Sequence, residues 1–352
     1  MSANRFPIPI VIINWNGSSD TIECIQSLSK LNNNNWNAIV VDNNSNPKEL
    51  NTLKAYCQDK HNITLILNQS NLGFAKANNQ ALTFLREKNQ LPEFVALLNN
   101  DAVVDPDWLD ELLKHARTTE SDLLSSKMIQ YGNRQRLDNI GHFMLNTGEI
   151  LPEAHNEHIS RFTTSKENIG ACAGACLIRS EVIEHLGLFD EFFSTGYEDA
   201  EFGLRVFLSG YKCSYAPEAI VYHKSGQSIS KIFDENFAIR TQRNILYTYF
   251  KLVPRINLVL NLPVITIRYL IISLTFTVTG KWRYVRIIFK AIGKFLKNDL
   301  AIARKKRKQF KEIVKDRNQA KIHSKWLNFL VFDIKRVWKF FFLGKVSAFD
   351  RN

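Results

Sequence analysis

Four stretches, "IPIVIINW" (8–15), "NAIVVD" (37–42), "ITLILNQ" (63–69) and "FVALL" (94–98), are almost unbroken runs of apolar residues, many of them β-branched. Between them lie segments with helical spacing: 18–31, where Ile22, Ile25 and Leu28 recur on one face, a stretch near 48–58, and another over 75–88. Strands apolar on both faces, alternating with helices, predict a parallel sheet covered on each side. In such sheets ligands bind at the carboxyl ends of the strands, near a topological switch point.

Each run ends in polar, mostly amide-bearing residues: Asn14 and Asn16, then Asp42-Asn43-Asn44, then Asn68 to Asn71, then Asn99-Asn100-Asp101. One such ending is ordinary turn chemistry. Four on one edge point to a polar site, although "LNNNNW" (31–36) shows that the chain is Asn-rich elsewhere too. Neither a G-x-x-x-x-G-K-[ST] loop nor a G-x-G-x-x-G after the first strand occurs, which argues against nucleotide triphosphatases and dinucleotide oxidoreductases.

The middle, roughly 120–170, reads as polar and irregular. The segment 170–223 is denser in signal. "ACLI" predicts a strand, Ser180 to Leu186 a helix, "AEFGLRVFLSG" an amphipathic helix ended by Gly210, and "AIVYH" a further strand. Glu198 and Asp199 sit at the start of that amphipathic helix, where acidic residues also suit the helix dipole. His223 closes the last strand. Paired with a strand-end Asp such as Asp101, it offers the oxygen and nitrogen donors that, with diphosphate oxygens, suit Mn²⁺ or Mg²⁺. The five cysteines are odd in number and lack a C-x-x-C pair, so they are expected to be buried, reduced side chains in a cytosolic setting. The apolar run near the N-terminus is too short for a signal peptide and reads as the first strand.

"VIINWNG", "VVDNNS", "NLGFAKANNQAL", "LLNNDAVVDPDWL", "GACLIRSEVIEHLGLFDEFF" and "GYEDAEFGLRVFLSGYKCSYAPEAIVYH" together resemble family 2 glycosyltransferases of the GT-A fold, over roughly residues 6–250. They look most like the rhamnosyltransferase-like branch. The resemblance implies an α/β, Rossmann-like, mixed but mostly parallel sheet with helices on both faces. It also implies an inverting transferase that moves a sugar from a nucleoside diphosphate donor, dTDP-rhamnose or a UDP-sugar, to an acceptor hydroxyl. By this likeness Asp42 matches the residue that binds the nucleobase, and Asn71, Gly73 and Phe74 match the donor loop. Asn14 and Asn100 join the donor-binding set. Asp101 matches the metal-reaching carboxylate of the D-x-D position, whose first member is here Asn99. Asp199 matches the catalytic base with Glu198 its neighbour, and His223 matches a metal-associated histidine.

The last third differs in character. Residues 281–352 hold 21 Lys and Arg against 5 Asp and Glu, so 1–280 sum to −4 although the whole chain carries +12. Ahead of this basic part, 255–280 is the most apolar segment, interrupted by Pro263 and Arg268. A helix or helix pair lying in a membrane interface is the favoured expectation, ahead of a spanning form and a buried core helix. Aromatic residues alternating with Lys and Arg beyond it fit an anionic cytoplasmic leaflet. The expected organisation is a glycosyltransferase domain over 1–250 and a helical membrane-associating region over 251–352. It acts at the cytoplasmic face on a glycan or lipid-linked acceptor in cell-surface polysaccharide synthesis, peripheral or monotopic, with no nucleic-acid partner. Two other classes compete: a catalytically inactive partner subunit, against which Asp101, Asp199 and His223 argue, and a nucleic-acid binder using "RKKRKQFK".

Overall fold

Each of the four apolar runs is a strand in the computed structural model, which describes residues 6–88, 91–145, 147–224 and 234–314; the first, second and fourth are buried, and the third is a half-buried edge strand. The first elements are β1 (Ile8–Asn14), α1 (Ser18–Leu28), β2 (Trp36–Asp42), α2 (Pro47–Cys57), β3 (Ile63–Leu67), α3 (Phe74–Glu87) and β4 (Phe94–Leu98). Next come β5 (Ala102–Val104), α4 (Trp108–Thr119), β6 (Leu123–Gln130), β7 (Asn133–Asn139), β8 (His142–Met144), β9 (Ile150–Pro152) and β10 (Lys166–Glu167). They are followed by β11 (Ala175–Arg179), α5 (Ser180–Leu186), α6 (Glu198–Leu208) and β12 (Cys213–His223). Four longer helices close the described chain: α7 (Glu235–Leu252), α8 (Arg255–Val278), α9 (Trp282–Lys294) and α10 (Leu300–Ile313). The chain divides into two compact units, one within Met1–Phe143 and Pro152–Gln227, the other within Met144–Leu151 and Ser228–Asn352.

In the first unit the sheet runs β10-β12-β6-β11-β4-β1-β2-β3, with β5 added on β12 and β7 on β6. The β4-β1-β2-β3 half is parallel throughout, as are β6 and β12, whereas β11 enters antiparallel between β4 and β6. The mixed sheet expected from the sequence is therefore present. Alternate residues of each parallel strand face opposite helical layers. Ile8, Ile10, Ile12, Ala38, Val40, Phe94 and Ala96 pack with Cys24 and Ile25 of α1, Leu53 of α2 and Trp108 and Leu112 of α4. On the other face α3 lies against β1 and β2. Burial of such side chains stabilises by roughly 1.5–3 kcal/mol each.

The segment read as irregular is where the structure departs from expectation. Within 120–170 lie β6 through β10, and β6 is a central strand of the sheet. Its sequence, "LLSSKMIQ", hid it because Ser125, Ser126 and Lys127 interrupt the apolar run. The two serines are satisfied by tertiary hydrogen bonds: Trp108 Nε1 donates to Ser126 Oγ (2.9 Å) and Asn168 Nδ2 donates to Ser125 Oγ (2.9 Å). Buried hydroxyls with partners carry little penalty, so a hydrophobicity pattern is a poor guide here.

The second unit is helical. Ala238 and Ile239 of α7 pack on Ile287 and Ala291 of α9. Arg243 makes a two-pronged pair with Asp299 (2.7 Å for each prong). Arg307 donates to the carbonyls of Phe250 and Val253, which binds α10 to the end of α7. The 255–280 segment forms one continuous helix, α8, through Pro263 rather than a helix pair. It is long and apolar enough to cross a membrane, yet only 17% of its most apolar window is buried. Ile267, Leu270, Ile271, Leu274 and Val278 are exposed, at helical spacing along one face. Arg268 points the other way, is buried, and donates to Glu149 Oε2 (2.7 Å). The basic stretch 304–311 falls in α10, while "WLNFLVFDIKRVWKFFFLG" (326–344) lies outside the described residues.

Candidate active site

The carboxyl ends of β1, β2 and β4 lie side by side, with Asn14 in register with Asp42. Asp42 is fully buried, and its carboxylate accepts three hydrogen bonds. Asn14 Nδ2 (2.7 Å) and Ser45 Oγ (2.6 Å) donate to Oδ2, and the Ser45 amide (2.9 Å) donates to Oδ1. Thr21 Oγ1 in turn donates to Asn14 Oδ1 (2.8 Å). Asp42 thus organises the strand ends, and its oxygens are already engaged from within. Ser45, which sequence reading passed over, follows Asp42 by three residues, and both its amide and its hydroxyl turn back onto that carboxylate.

Asn43 does the equivalent work for the next loop. Its Nδ2 donates to Asn71 Oδ1 (2.9 Å), and its Oδ1 accepts from the Leu72 amide (2.9 Å) and Asn68 Nδ2 (3.1 Å). Gly73 has φ +79°, and a Cβ there would lie 2.2 Å from the Ser194 carbonyl oxygen. The Phe74 amide donates to that same oxygen (2.8 Å), and the Phe74 ring packs on Phe189 (5.9 Å between centroids). Only glycine allows this approach of two backbones.

At the end of β4, the Asn99 amide donates to the Gly174 carbonyl (2.9 Å). Asn100 turns toward α1, its Nδ2 donating to Thr21 Oγ1 (3.1 Å). Asp101 is buried and meets His223, because β5 and β12 pair antiparallel with Ala102 opposite His223. Asp101 Oδ1 and His223 Nε2 are 3.0 Å apart, and Asn99 Nδ2 lies 3.2 Å from the same nitrogen. The other face of the imidazole is held by Asp138 of β7, with Nδ1 2.8 Å from Oδ2. Burial alone pulls the His223 pKa down, but hydrogen bonds and charge from Asp101 and Asp138 outweigh it and hold it up to about 10. Asp138 lies in the segment that gave no readable pattern, and no signal in the sequence marked it.

Asp199 begins α6 one residue after Glu198, which is buried in the same first turn. The chain enters α6 through Gly196 (φ +88°) and Tyr197 (φ +83°). A left-handed Tyr is strained backbone of a kind concentrated at functional sites. Asp199 Oδ2 accepts from the Ala173 amide (3.2 Å) and Oδ1 from the Ala200 amide (2.8 Å). Close docking of α6 depends on Gly170 facing Gly203, where an added Cβ would sit 2.4 Å from the partner Cα. Below the site Glu201, fully buried, pairs with Arg205 (3.0 Å), which also donates to the carbonyls of Leu186, Gly187 and Leu188.

The structure therefore brings Asn14, Asp42, Asn71, Gly73, Phe74, Asn100, Asp101, Glu198, Asp199 and His223 into one unit, on linked loops at the strand ends. Among the described residues there is no group of three or more His, Cys, Asp or Glu side chains placed to hold a metal, so any cation here rests on fewer protein ligands. All five cysteines are free, and four are buried, as expected.

The model of glycosyl transferase family 2 matches residues 10–187, just over half of the chain. The chain belongs to that family. A bacterial relative of this glycosyltransferase, the O-antigen biosynthesis protein RfbC of Myxococcus xanthus, is 30% identical over 198 residues, covering 54% of this chain and 15% of its own. An uncharacterized glycosyltransferase of Methanocaldococcus jannaschii is 23% identical, covering 61% of this chain and 66% of its own. The chain thus spans less than two thirds of the length of these relatives. Among solved structures, GalNAc-T7 with UDP, GalNAc and Mn²⁺ superposes at a TM-score of 0.54 and 17% identity, covering 71% of this chain and 48% of that one. The mannosyltransferase of Pyrobaculum calidifontis, in complex with GDP-Man and Mn²⁺, gives 0.50 and 15%, covering 84% and 90%. At such identities the likeness carries the fold, GT-A, to this glycosyltransferase.

Proposed function

We propose that this glycosyltransferase moves a sugar from a nucleoside diphosphate to an acceptor hydroxyl with inversion, using Asp199 as base and a divalent cation on Asp101 and His223. The observation that carries the reading is the shared loop Ala173-Gly174, whose amide holds Asp199 and whose carbonyl holds the Asn99-Asn100-Asp101 triplet.

The residues fit a cation. Asp101 Oδ1 and His223 Nε2 are 3.0 Å apart, about the spacing of adjacent ligands in an octahedral Mg²⁺ or Mn²⁺ site. Asp138 on Nδ1 would fix the ring so that Nε2, on giving up its proton, could ligate, as outer partners of ligating histidines do. Donor phosphates and water complete such a site. When bound, the cation supplies charge to neutralise the departing diphosphate.

The chain's own residues do the rest. The Asp42 and Asn43 networks shape the nucleoside end of the donor site, with Asn14 and Asn100 bracing it against α1. The Asn71-Gly73-Phe74 loop, clamped to Ser194, positions the donor sugar. Asp199 accepts the acceptor's proton as the new C–O bond forms and the nucleoside diphosphate leaves with its bonding electrons. Glu198 supports that first turn of α6.

The likeness to RfbC supports the finer reading of a rhamnosyltransferase-like enzyme of cell-surface polysaccharide synthesis, acting on a glycan or lipid-linked acceptor. The exposed apolar face of α8, with Arg268 turned inward, supports a monotopic or peripheral place on an anionic membrane at the cytoplasmic face. The test is a melting-shift panel of UDP-, dTDP- and GDP-sugars with and without Mn²⁺. A Mn²⁺-dependent shift with one donor is expected; no shift with any of them overturns the reading.

A further inference from the structure

His142 escaped the sequence reading and has no part in the chemistry above. Its backbone is tied on both sides to one segment: its amide donates to the Gly170 carbonyl (2.9 Å) and its carbonyl accepts from the Ile169 amide (3.3 Å). Gly170 is also the residue whose Cα faces Gly203 of α6, so His142 is in register with the helix that carries Asp199. The imidazole is buried, with Nε2 3.8 Å from Asp199 Oδ2. Its Nδ1 is buried and has no hydrogen-bond partner among the described residues. As a packing element the ring is a poor choice, because an aliphatic side chain would fill the space without stranding a nitrogen.

The two oxygens of Asp199 differ in their surroundings. Oδ2 faces the Ala173 amide and His142, whereas Oδ1, among the described residues, accepts only from Ala200, the next residue of its own helix. Other titratable groups around the pair include Glu198, the buried chain neighbour of Asp199, Glu153, after β9, Asp138, and the thiols of Cys172 and Cys176, which burial and the Asp199 charge hold protonated. Burial pushes the His142 pKa down against the pull of Asp199 and Glu153, so the ring is a neutral donor.

We propose that His142 is a positioning residue for the base: its Nε2–H closes onto Asp199 Oδ2 and leaves Oδ1 to take the acceptor's proton. This rests on Asp199 being the base, and the test separates the two readings. Full-length wild type, Asp199→Asn, His142→Asn and His142→Gln are assayed with Mn²⁺ across pH for nucleoside diphosphate release from UDP-galactose and dTDP-rhamnose, with water as the acceptor whose proton the base takes. The Gln amide reaches the place of Nε2; the Asn amide does not.

Asp199→Asn is expected to be inactive and His142→Gln to keep most of its rate. His142→Asn is expected to lose on the order of 100-fold in kcat with the donor KM unchanged, and its acidic limb to move to higher pH, since the carboxylate has lost a donor. Equal rates and limbs for His142→Asn and wild type, or equal losses in Asn and Gln, with Asp199→Asn dead, overturn the positioning role and leave the base intact. An active Asp199→Asn removes both. A readout free of turnover is the nitrogen-15 histidine spectrum, in which the His142 ring is identified by its loss in His142→Gln. A neutral, Nε2-protonated ring that shifts in Asp199→Asn is expected, and a ring that ignores Asp199→Asn overturns the proposal.

Discussion

Asn99 and Asp199 are held by two consecutive residues: the Asn99 amide donates to the Gly174 carbonyl (2.9 Å), and Asp199 Oδ2 accepts from the Ala173 amide (3.2 Å). One dipeptide thus fixes the spacing between the end of β4 and the start of α6. The triplet proposed to reach a metal and the proposed base, brought in by different strands and helices, would need such a common reference, because an ångström of drift degrades attack geometry.

Gly174→Ala tests that coupling. The added Cβ would meet Met128 Cε at 2.8 Å and Asn99 Nδ2 at 3.2 Å. The Met tip can rotate away, so stability should fall by only about 1 kcal/mol. Asn99 is less free, being 3.2 Å from His223 Nε2. Turnover and Mn²⁺-dependent donor stabilisation are expected to fall together, well beyond the loss in melting temperature. A variant that loses stability alone would show that the loop is only packing.

Asp138→Asn isolates the outer partner of the proposed metal site. The substitution keeps a side chain of the same size opposite His223 Nδ1 but removes the charge that orients the ring. Apparent Mn²⁺ affinity, read from donor-dependent melting shifts, should weaken by about 10–100-fold. The effect on melting without Mn²⁺ should be much smaller.

The parallel half of the sheet was legible because both faces of β1, β2 and β4 are buried and, apart from Asn37 near the start of β2, their sequences contain no polar residue before the strand end. Asp101, Asp199 and His223 stood out for a related reason: Asp101 and His223 are titratable residues where an apolar run stops, and Asp199 is one where an amphipathic helix starts. Asp138 and His142 were not. Asp138 sits on β7, which pairs with β6, and β6 itself was masked by Ser125, Ser126 and Lys127; His142 sits on the three-residue β8, whose partner is the equally short β9. A polar residue buried through tertiary hydrogen bonds looks, in sequence, like a loop residue.

The Glu201–Arg205 pair beneath the site is structural. Glu201 is fully buried, and Arg205 also satisfies three carbonyls at the end of α5. Glu201→Leu leaves a buried guanidinium without its counter-charge and should destabilise by about 3–5 kcal/mol in urea unfolding. Arg205→Met should do at least as much, since it strands the carbonyls as well.

Acid sensitivity follows from two histidines whose pKa values burial pushes down, His142 and His115. Both start from 6.5 when unfolded. Above that pH neither state binds the proton, and below it only the unfolded state does. Their contribution is therefore intact at neutral pH and is lost as pH falls from 6.5 through the depressed folded values. The slope approaches about 1.4 kcal/mol per pH unit for each histidine held neutral. Urea unfolding as a function of pH should show this decline, and His142→Gln should flatten it.

Membrane docking through α8 makes a prediction with two opposed arms. Leu270 and Leu274 are 63% and 64% exposed on the apolar face, so Leu270→Glu with Leu274→Glu should leave the melting temperature nearly unchanged. The same double variant should lose co-sedimentation with vesicles containing phosphatidylglycerol, because it places two charges where acyl chains would be. Arg268→Leu is the reverse case: it leaves that face intact but strands Glu149, its 2.7 Å partner, in a buried position. Folding stability should drop by about 3–5 kcal/mol while the folded fraction still binds vesicles. Vesicle binding that survives the Leu270 and Leu274 changes would move the docking surface away from α8, leaving the cationic α9 and α10 to account for it.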